Sequence, residues 1–216
     1  MKKDADLQRD VIAELAWDPR VESNAIGVAV RDGVVTLTGH LDSFAEKHAA
    51  ARAARRVSGV QAIAVELDVK LAHDHQRNDT EIALGIEQAL RWNTMVPTST
   101  VRVSVDHGWV NLQGEVDWDY ERRAVEGAIR PLRGVVGISN ELTVRPSIKV
   151  ADVSQRIEDA LKRQAIREAQ HIRVSVEDST VKLTGSVKSA KERDAVQLIA
   201  WSAPGVRAVV NELRVD

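Results

Sequence analysis

The chain has 216 residues, of which 44% are hydrophobic and only 3% aromatic. There are 30 basic and 32 acidic residues, and the formal net charge of -2 excludes nucleic-acid binding driven by bulk charge. The absence of cysteine excludes disulfides, iron–sulfur clusters and a thiol nucleophile. No apolar run approaches the roughly 18 residues of a membrane span, and the length fits one large domain or two to three small ones.

The amino terminus lacks the apolar core of a signal peptide. Lys2 and Lys3 follow Met1, but acidic residues come next and the apolar residues then take helical spacing. A signal peptide needs roughly 7–15 continuous apolar residues, and a lipobox needs a cysteine. We therefore expect a cytoplasmic protein. A periplasmic location is the alternative if a leader has been removed and replaced by a new methionine.

One short phrase occurs three times along the chain. It reads VVTLTG, WVNLQG and TVKLTG, and its last residues, Gly39, Gly114 and Gly185, lie 75 and 71 positions apart. A Gly-Val pair and a Glu-Leu pair keep the same two offsets. Three markers with shared offsets predict three copies of one unit. The copies, called repeats one, two and three, span 1–70, 77–146 and 150–216.

Repeat one illustrates the first three elements of the unit. Leu7, Val11 and Leu15 recur every four residues, which predicts an amphipathic helix. Ile26–Arg31 alternates apolar residues with small or polar ones, which is typical of a half-buried strand. Asp32-Gly33 predicts a tight hairpin turn into the second strand, because glycine adopts positive φ freely. The matching pairs are His107-Gly108 and Asp178-Ser179, and the latter is a less favourable turn.

A second helix is expected to follow the second strand. Capping boxes beginning at Ser43 and Ser189 predict its start in repeats one and three. In repeat two the expected cap is Asp117, and Asp79 is the expected N-cap of that repeat's first helix. The second helix is predicted to end at the glycine of the Gly-Val marker, as a C-cap. These glycines are Gly59, Gly134 and Gly205.

A last alternating strand completes an α-β-β-α-β order. The first two strands form an antiparallel hairpin, and a right-handed helical crossover makes the second and third strands parallel. The predicted fold class is therefore α+β, with a three-stranded mixed sheet in each repeat. Both helices are expected on one face of that sheet, and the opposite face is open in an isolated unit.

These markers resemble those of the BON domain, the bacterial osmotically inducible and nodulation module. The resemblance rests on the pattern Val-x-Val-x-Asp-Gly-x-Val-x-Leu-x-Gly, the Gly-Val pair and the terminal Val/Asn-x-x-Leu-x-Val. It covers nearly the whole chain, and Val101–Val144 is especially similar to the middle domain of three-BON proteins. Repeat three departs from the pattern at Ser179. The resemblance implies three tandem αββαβ BON domains, binding to phospholipid membranes, and a role in osmotic and envelope stress.

The residues that carry chemistry are few. The family has no established catalytic residues, so we expect no enzyme and no cofactor. His73-Asp74-His75 offers two imidazoles and a carboxylate to a metal, but alternate residues of a flexible linker make a poor preformed site. An acidic cluster is read either as a weak cation site or, preferably, as favourable charge at a helix N-terminus. Its members are Glu115, Asp117, Asp119 and Glu121.

The aromatic residues are the main candidates for contact with a lipid or a partner. Trp109 alternates out of phase with the buried residues of its strand, and Trp118 and Tyr120 open the second helix of repeat two. Trp92 ends the first helix of that repeat, as Trp17 does in repeat one. One interpretation is insertion into a membrane interface. The other is packing of the units against each other, which we favour for Trp109 and weigh equally for Trp118 and Tyr120.

Repeat three is the only repeat with a net positive formal charge. Its basic residues either attract anionic headgroups or form a solvated face. The candidate contacts in this repeat are Lys182, Lys188 and Lys191, and nearby basic residues are Lys162, Arg163 and Arg167. A second basic group, Arg52, Arg55 and Arg56, is expected on the second helix of repeat one.

Three function hypotheses follow. The first is a non-enzymatic module that binds an anionic phospholipid surface. The alternative is a soluble stress-related scaffold or small-ion sensor that acts through a protein partner or self-association. Nucleic-acid binding ranks low, since the αββαβ order is similar to one type of KH domain but the Gly-x-x-Gly clamp of that module is absent.

Overall fold

The computed structural model describes most of the chain as an alternation of helices and strands. The described residues are 2–72, 75–97, 99–145, 153–163, 172–177 and 179–215, without the side chain of Lys162. The helices in them are α1 (Asp4–Trp17), α2 (Phe44–Arg56), α3 (Asp79–Arg91), α4 (Asp119–Ile129), α5 (Val153–Arg163) and α6 (Ala190–Trp201). The strands are β1 (Ile26–Arg31), β2 (Val34–Leu41), β3 (Ala62–Val69), β4 (Val101–Asp106), β5 (Trp109–Val116), β6 (Gly137–Val144), β7 (Ile172–Glu177), β8 (Thr180–Val187) and β9 (Ala208–Val215).

The three repeats have the same sheet topology. In repeat one the strand order is β1-β2-β3, with β1 antiparallel and β3 parallel to β2. The sheets β4-β5-β6 and β7-β8-β9 repeat this pattern. The predicted α+β fold with a three-stranded mixed sheet in each repeat is therefore confirmed.

Each repeat buries its own apolar core between the sheet and the two helices. In repeat one the stripe of Leu7, Val11 and Leu15 on α1 packs with Val35 and Leu37 of β2, and all five are at most 1% exposed. Repeats two and three bury equivalent residues. The four-residue spacing on the helix and the alternation on the strand thus have one physical cause, which is burial on a single face.

A carboxylate at the start of the first helix holds the hairpin turn. In repeat two Asp79 accepts hydrogen bonds from the backbone N–H groups of His107 and Gly108 (both 2.9 Å). These bonds, led by the one from Gly108, lower the pKa of Asp79. The expectation that Asp79 is the N-cap is wrong. Asn78 takes that role by forming a reciprocal capping box with Glu81, and this leaves the Asp79 side chain available for the hairpin.

The hairpin turns have the backbone that the sequence predicts. Gly33 and Gly108 have φ values of 75° and 78°. In repeat three the less favourable Ser179 adopts φ 71° and the turn is kept. A residue other than glycine at positive φ is strained. Asp32 and His107 also have positive φ (50° and 49°), but only in repeat three does the strain fall where the other repeats have glycine.

The second helices begin differently from expectation in repeat two. Ser43 and Ser189 do accept hydrogen bonds from the backbone N–H three residues later, as predicted. The N-cap of α4 is Trp118 instead of Asp117, and an indole has no acceptor. The Glu121 carboxylate takes over by accepting from the backbone N–H groups of Asp117 (2.8 Å) and Trp118 (3.0 Å).

The capping boxes expected in repeats one and three do not close. The Glu46 carboxylate accepts from the backbone N–H of Glu22 instead of its own N-cap residue. The Glu192 carboxylate accepts from the backbone N–H of Lys188. Glu46 therefore ties the loop between α1 and β1 to the start of α2.

The second helices also end earlier than the marker glycines. In repeat one α2 ends at Arg56, and the Val57 and Val60 N–H groups form tight i−3 turns after it. The chain reaches positive φ only at Gly59 (97°). The equivalent glycines of repeats two and three have φ 91° and 86°, so all three belong to the turn after the helix.

The outer edge of the first strand is bonded to the first helix in two of the repeats. In repeat one the Gln8 side chain donates to the Val28 carbonyl (2.7 Å). In repeat three the Ser154 hydroxyl donates to the Val174 carbonyl (3.0 Å). These side chains partly cover a strand edge that is otherwise open to pairing.

Repeat two has Ala83 at this position, and a groove of about 420 Å³ lies between α3 and β4. We expect Ala83→Gln to raise the free energy of unfolding by about 0.5–1.5 kcal/mol, because its amide would donate to the Val103 carbonyl as Gln8 does to Val28. Urea unfolding measures the change. The control is Ala83→Met, which has a similar length and helix propensity but no donor. Equal stabilisation by methionine would show that the hydrogen bond is not the cause.

Candidate functional site

Exposed apolar side chains gather at one end of repeat two. We call the group Trp92, Met95, Trp118 and Tyr120 the aromatic end. Asp79 binds the hairpin at the start of α3, so Trp92, at the other end of that helix, lies opposite the hairpin. Strand β5 leaves the hairpin and leads to Trp118, so α4 also begins at this end. The exposed fractions are 81% for Trp92, 56% for Met95, 38% for Trp118 and 48% for Tyr120.

Repeat one presents a tryptophan at the equivalent position. Trp17 ends α1 and is 82% exposed. The next residue, Asp18, is buried and accepts hydrogen bonds from the guanidinium groups of Arg20 and Arg56. The Arg20 hydrogen bonds hold the pKa of Asp18 well below its usual range against the opposing effect of burial, and Arg56 adds to them. This network fixes the helix end from which Trp17 projects.

The acidic cluster beside the aromatic end consists of paired groups. Glu115 and Asp117 lie 3.4 and 3.5 Å from the Arg145 guanidinium. Asp119 is buried, and arginines three and four residues later on α4 bind it. Glu121 accepts from backbone N–H groups at the helix start. Asp119 and Glu121 thus lie in the first turn of α4, where negative charge is favourable, whereas Glu115 and Asp117 pair with Arg145.

No metal-binding group was found within the part of the chain that the structure describes. There, no three or more His, Asp or Glu residues are placed so that they would hold an ion. Of the histidine-containing linker only His75 is described, and His73 and Asp74 lie outside the described residues. Among the described helices, none is long and apolar enough to cross a membrane.

Trp109 lies on the outer face of its own sheet. Its Nε1 donates to the Ser139 hydroxyl (2.9 Å), and its ring covers Gly137, where a Cβ atom would collide with it. Both residues belong to the neighbouring strand β6. Trp109 is still 45% exposed, so its contacts stabilise the sheet surface of repeat two and leave one side of the ring in solvent.

The candidate lysines of repeat three do not share one surface. Lys182 lies on the outer face of β8 and pairs with Glu212 (2.8 Å). Lys188 and Lys191 lie at the start of α6, and Arg163 ends α5 at the position that Trp92 takes in repeat two. We call Lys188 and Lys191 the basic end, whereas Arg163 lines a pocket with Ser202 and Pro204, which follow the other end of α6. Arg167 lies outside the described residues.

The second helices of the repeats meet, a contact that the repeat pattern does not predict. Phe44 of α2 packs against the core of repeat two, and α2 also contacts α6. Trp201 of α6 packs against the cores of repeats two and three. The Arg122 guanidinium lies 4.7 Å from the Trp201 ring centroid, which is a cation–π contact. The repeats are therefore joined through helices.

The outer sheet faces stay open. Val34, Trp109 and Val210 on these faces are 40–45% exposed.

The contacts between the second helices are indicated in the sequence by a departure from the repeat. Trp201 stands where the other repeats have Arg55 and Arg130, and a large apolar residue in place of arginine indicates a local change of environment.

The BON domain family model matches residues 3–70, 78–146 and 149–216. The chain belongs to the BON domain family. The family resemblance inferred from the repeat markers is thus confirmed, and each of the three matches contains one αββαβ unit.

A search of characterised proteins found a BON relative. The chain is 28% identical over 146 residues to osmotically-inducible protein Y of Escherichia coli (strain K12), which covers 66% of this chain and 73% of that protein. Among solved structures, two of CdsD, a structural protein of the type III secretion system of Chlamydia trachomatis, are 15% identical with TM-scores of 0.26. They cover 96% and 100% of this chain, and 91% and 100% of theirs. At such TM-scores they carry no argument about function.

Proposed function

We propose that this BON protein is a non-enzymatic module that binds an anionic phospholipid surface during osmotic or envelope stress. The observation that carries the proposal is the exposure of Trp17 and Trp92 at equivalent helix ends, 82% and 81%. Tryptophan rings favour the boundary between lipid headgroups and acyl chains because they are amphipathic. The similarity to an osmotically inducible protein supports the connection to osmotic stress.

The basic residues of repeat three support a preference for anionic over neutral lipids. The basic end of repeat three has Lys188 and Lys191 at the start of α6. Each basic residue near an anionic leaflet contributes about 1 kcal/mol of attraction, which falls off within a Debye length. Because the formal net charge of the chain is -2, this attraction is local, and binding is expected to weaken strongly with salt.

Vesicle flotation with the full-length protein tests the proposal. Phosphatidylcholine vesicles are compared with vesicles that also contain phosphatidylglycerol, at low and physiological salt. We expect flotation with the anionic vesicles only, accompanied by a blue shift of tryptophan emission. Absence of flotation at low salt would contradict the proposal, and concentration-dependent self-association in the same preparation would favour a soluble scaffold.

Trp92→Ala is expected to weaken vesicle binding by roughly tenfold or more, since burial of a large apolar side chain contributes about 1.5–3 kcal/mol. The matched control is Trp109→Ala, because Trp109 is bonded to its own sheet and lies away from the aromatic end. Equal loss of vesicle binding in both tryptophan variants would rule out the aromatic end as the contact surface.

Charge reversal of Lys188 and Lys191 should weaken vesicle binding at low salt and reduce its salt dependence, because the local attraction is lost.

A further inference from the structure

A cleft of about 390 Å³ lies between repeats one and two. Helix α2 contributes His48 and Arg52 to its wall, α4 and the residue after it contribute Gly127 and Arg130, and Arg20 comes from the loop after α1. A Cβ atom added to Gly127 would meet nothing within 4 Å, so this part of the wall is open. Most of the wall of the cleft therefore comes from the second helices of the two repeats.

Two guanidinium groups in the cleft have donors to spare. One terminal nitrogen of Arg130 binds Glu126 (2.7 Å), but its Nε is buried and has no acceptor among the described residues. A buried donor without a partner costs free energy, so it calls for a ligand or water. Arg52 is exposed and forms no ion pair with any residue that the structure describes.

Nearby arginines lower the pKa of the cleft histidine, His48, by more than the neighbouring carboxylate raises it. The pKa of His48 is lowered to about 4. Burial is the largest cause of this shift, and Arg130 is the second largest. Glu126 opposes the shift, while Arg52 and Arg55 add to it. The two remaining charged groups of the wall already have partners: Arg20 binds Asp18, and Glu46 accepts from the backbone of Glu22. An anion that enters the cleft would meet Arg52, which has no ion-pair partner among the described residues, and the unsatisfied Nε of Arg130.

We infer that this cleft binds a phosphate group, with Arg52 and Arg130 as its ligands and a ring N–H of His48 as a third donor. Guanidinium groups match the oxygen geometry of phosphate and bind it through two parallel hydrogen bonds. The phosphate belongs either to a small soluble phosphate compound or to a phospholipid headgroup. The site does not depend on membrane binding through the aromatic end, because none of its residues belongs to that group.

The test is a titration of the full-length protein with inorganic phosphate at constant ionic strength, with chloride as the reference anion. The His48 ring resonances in NMR spectra report binding. We expect phosphate to shift them and to raise the pKa of His48, because a nearby negative charge favours the protonated ring. Chloride at the same ionic strength is expected to do neither.

Arg52→Gln is expected to weaken phosphate binding at least tenfold, since charged hydrogen bonds to phosphate are lost. The matched control is Arg31→Gln, an exposed arginine at the hairpin of the same repeat. No His48 shift with phosphate, an equal shift with chloride, or equal weakening in both variants would each overturn the inference.

A vesicle arm identifies the source of the phosphate. If Arg52→Gln also lowers flotation with phosphatidylglycerol vesicles, the ligand is a lipid headgroup. If flotation is unchanged while inorganic phosphate binding is lost, the ligand is a soluble phosphate compound. Trp92→Ala should leave phosphate binding intact, so failure of the membrane proposal and failure of the phosphate site can be told apart.

Discussion

Gly114→Ala is expected to lower the free energy of unfolding by roughly 3–5 kcal/mol, enough to unfold repeat two in many conditions. Gly114 has φ 128°, a region that residues with a Cβ atom rarely enter. A Cβ atom there would also collide with the backbone carbonyl oxygen of Thr100, just before β4. Gly39 has the same relation to Ala25 in repeat one, which explains why this glycine marks the repeat.

Equilibrium urea unfolding followed by circular dichroism measures the effect of Gly114→Ala. The matched control is Gly85→Ala, because Gly85 lies within α3 and nothing lies within 4 Å of its Cβ position. That change should stabilise the protein by roughly 0.5–1 kcal/mol, since alanine favours a helix over glycine. If Gly114→Ala lowered the free energy of unfolding by less than about 1 kcal/mol, the close contact between β5 and the Thr100 carbonyl would be contradicted.

Trp201→Ala is expected to cost roughly 2–4 kcal/mol and to separate the unfolding of repeats two and three. The ring packs against the cores of both repeats and lies under the Arg122 guanidinium. Its removal leaves a cavity on two cores at once, and the loss of Arg122 stacking adds to the cost. Calorimetry should therefore show one broad or two resolved transitions in place of a shared one.

Trp17→Ala provides the control for this change. Trp17 is 82% exposed at the end of α1, so the same substitution should change the stability by less than about 0.5 kcal/mol. Equal losses in the two variants would mean that Trp201 has no special role between the repeats. An unchanged single transition in Trp201→Ala would show that other contacts couple repeats two and three.

The sequence predicted each repeat well because burial on one face leaves a periodic pattern. The four-residue spacing of Leu7, Val11 and Leu15 located α1, and alternation located β1. The glycine of the VxLxG phrase stood out because its backbone conformation admits few other residues. The helices and strands that recur in all three copies were therefore predicted correctly, although each second helix ends before its marker glycine.

Features that occur once were missed or misassigned. Phe44 and Trp201 replace Asp119 and Arg130 at the equivalent positions, and a comparison of repeats averages such differences away. Capping was misassigned for a related reason. The Asp79 and Glu46 carboxylates bind backbone groups that are distant in sequence, and local capping patterns cannot show these partners.

During synthesis on the ribosome, the core of repeat two emerges before Trp201, which covers part of it. The last strand of repeat two ends at Val144, and Trp201 follows 57 positions later. At about 5–20 residues per second, roughly 3–11 s pass between the emergence of these two residues. During that interval the part of the repeat-two core that contacts Trp201 has no cover from repeat three. A nascent chain halted in this window should be more open to proteolysis or chaperone capture than the finished protein.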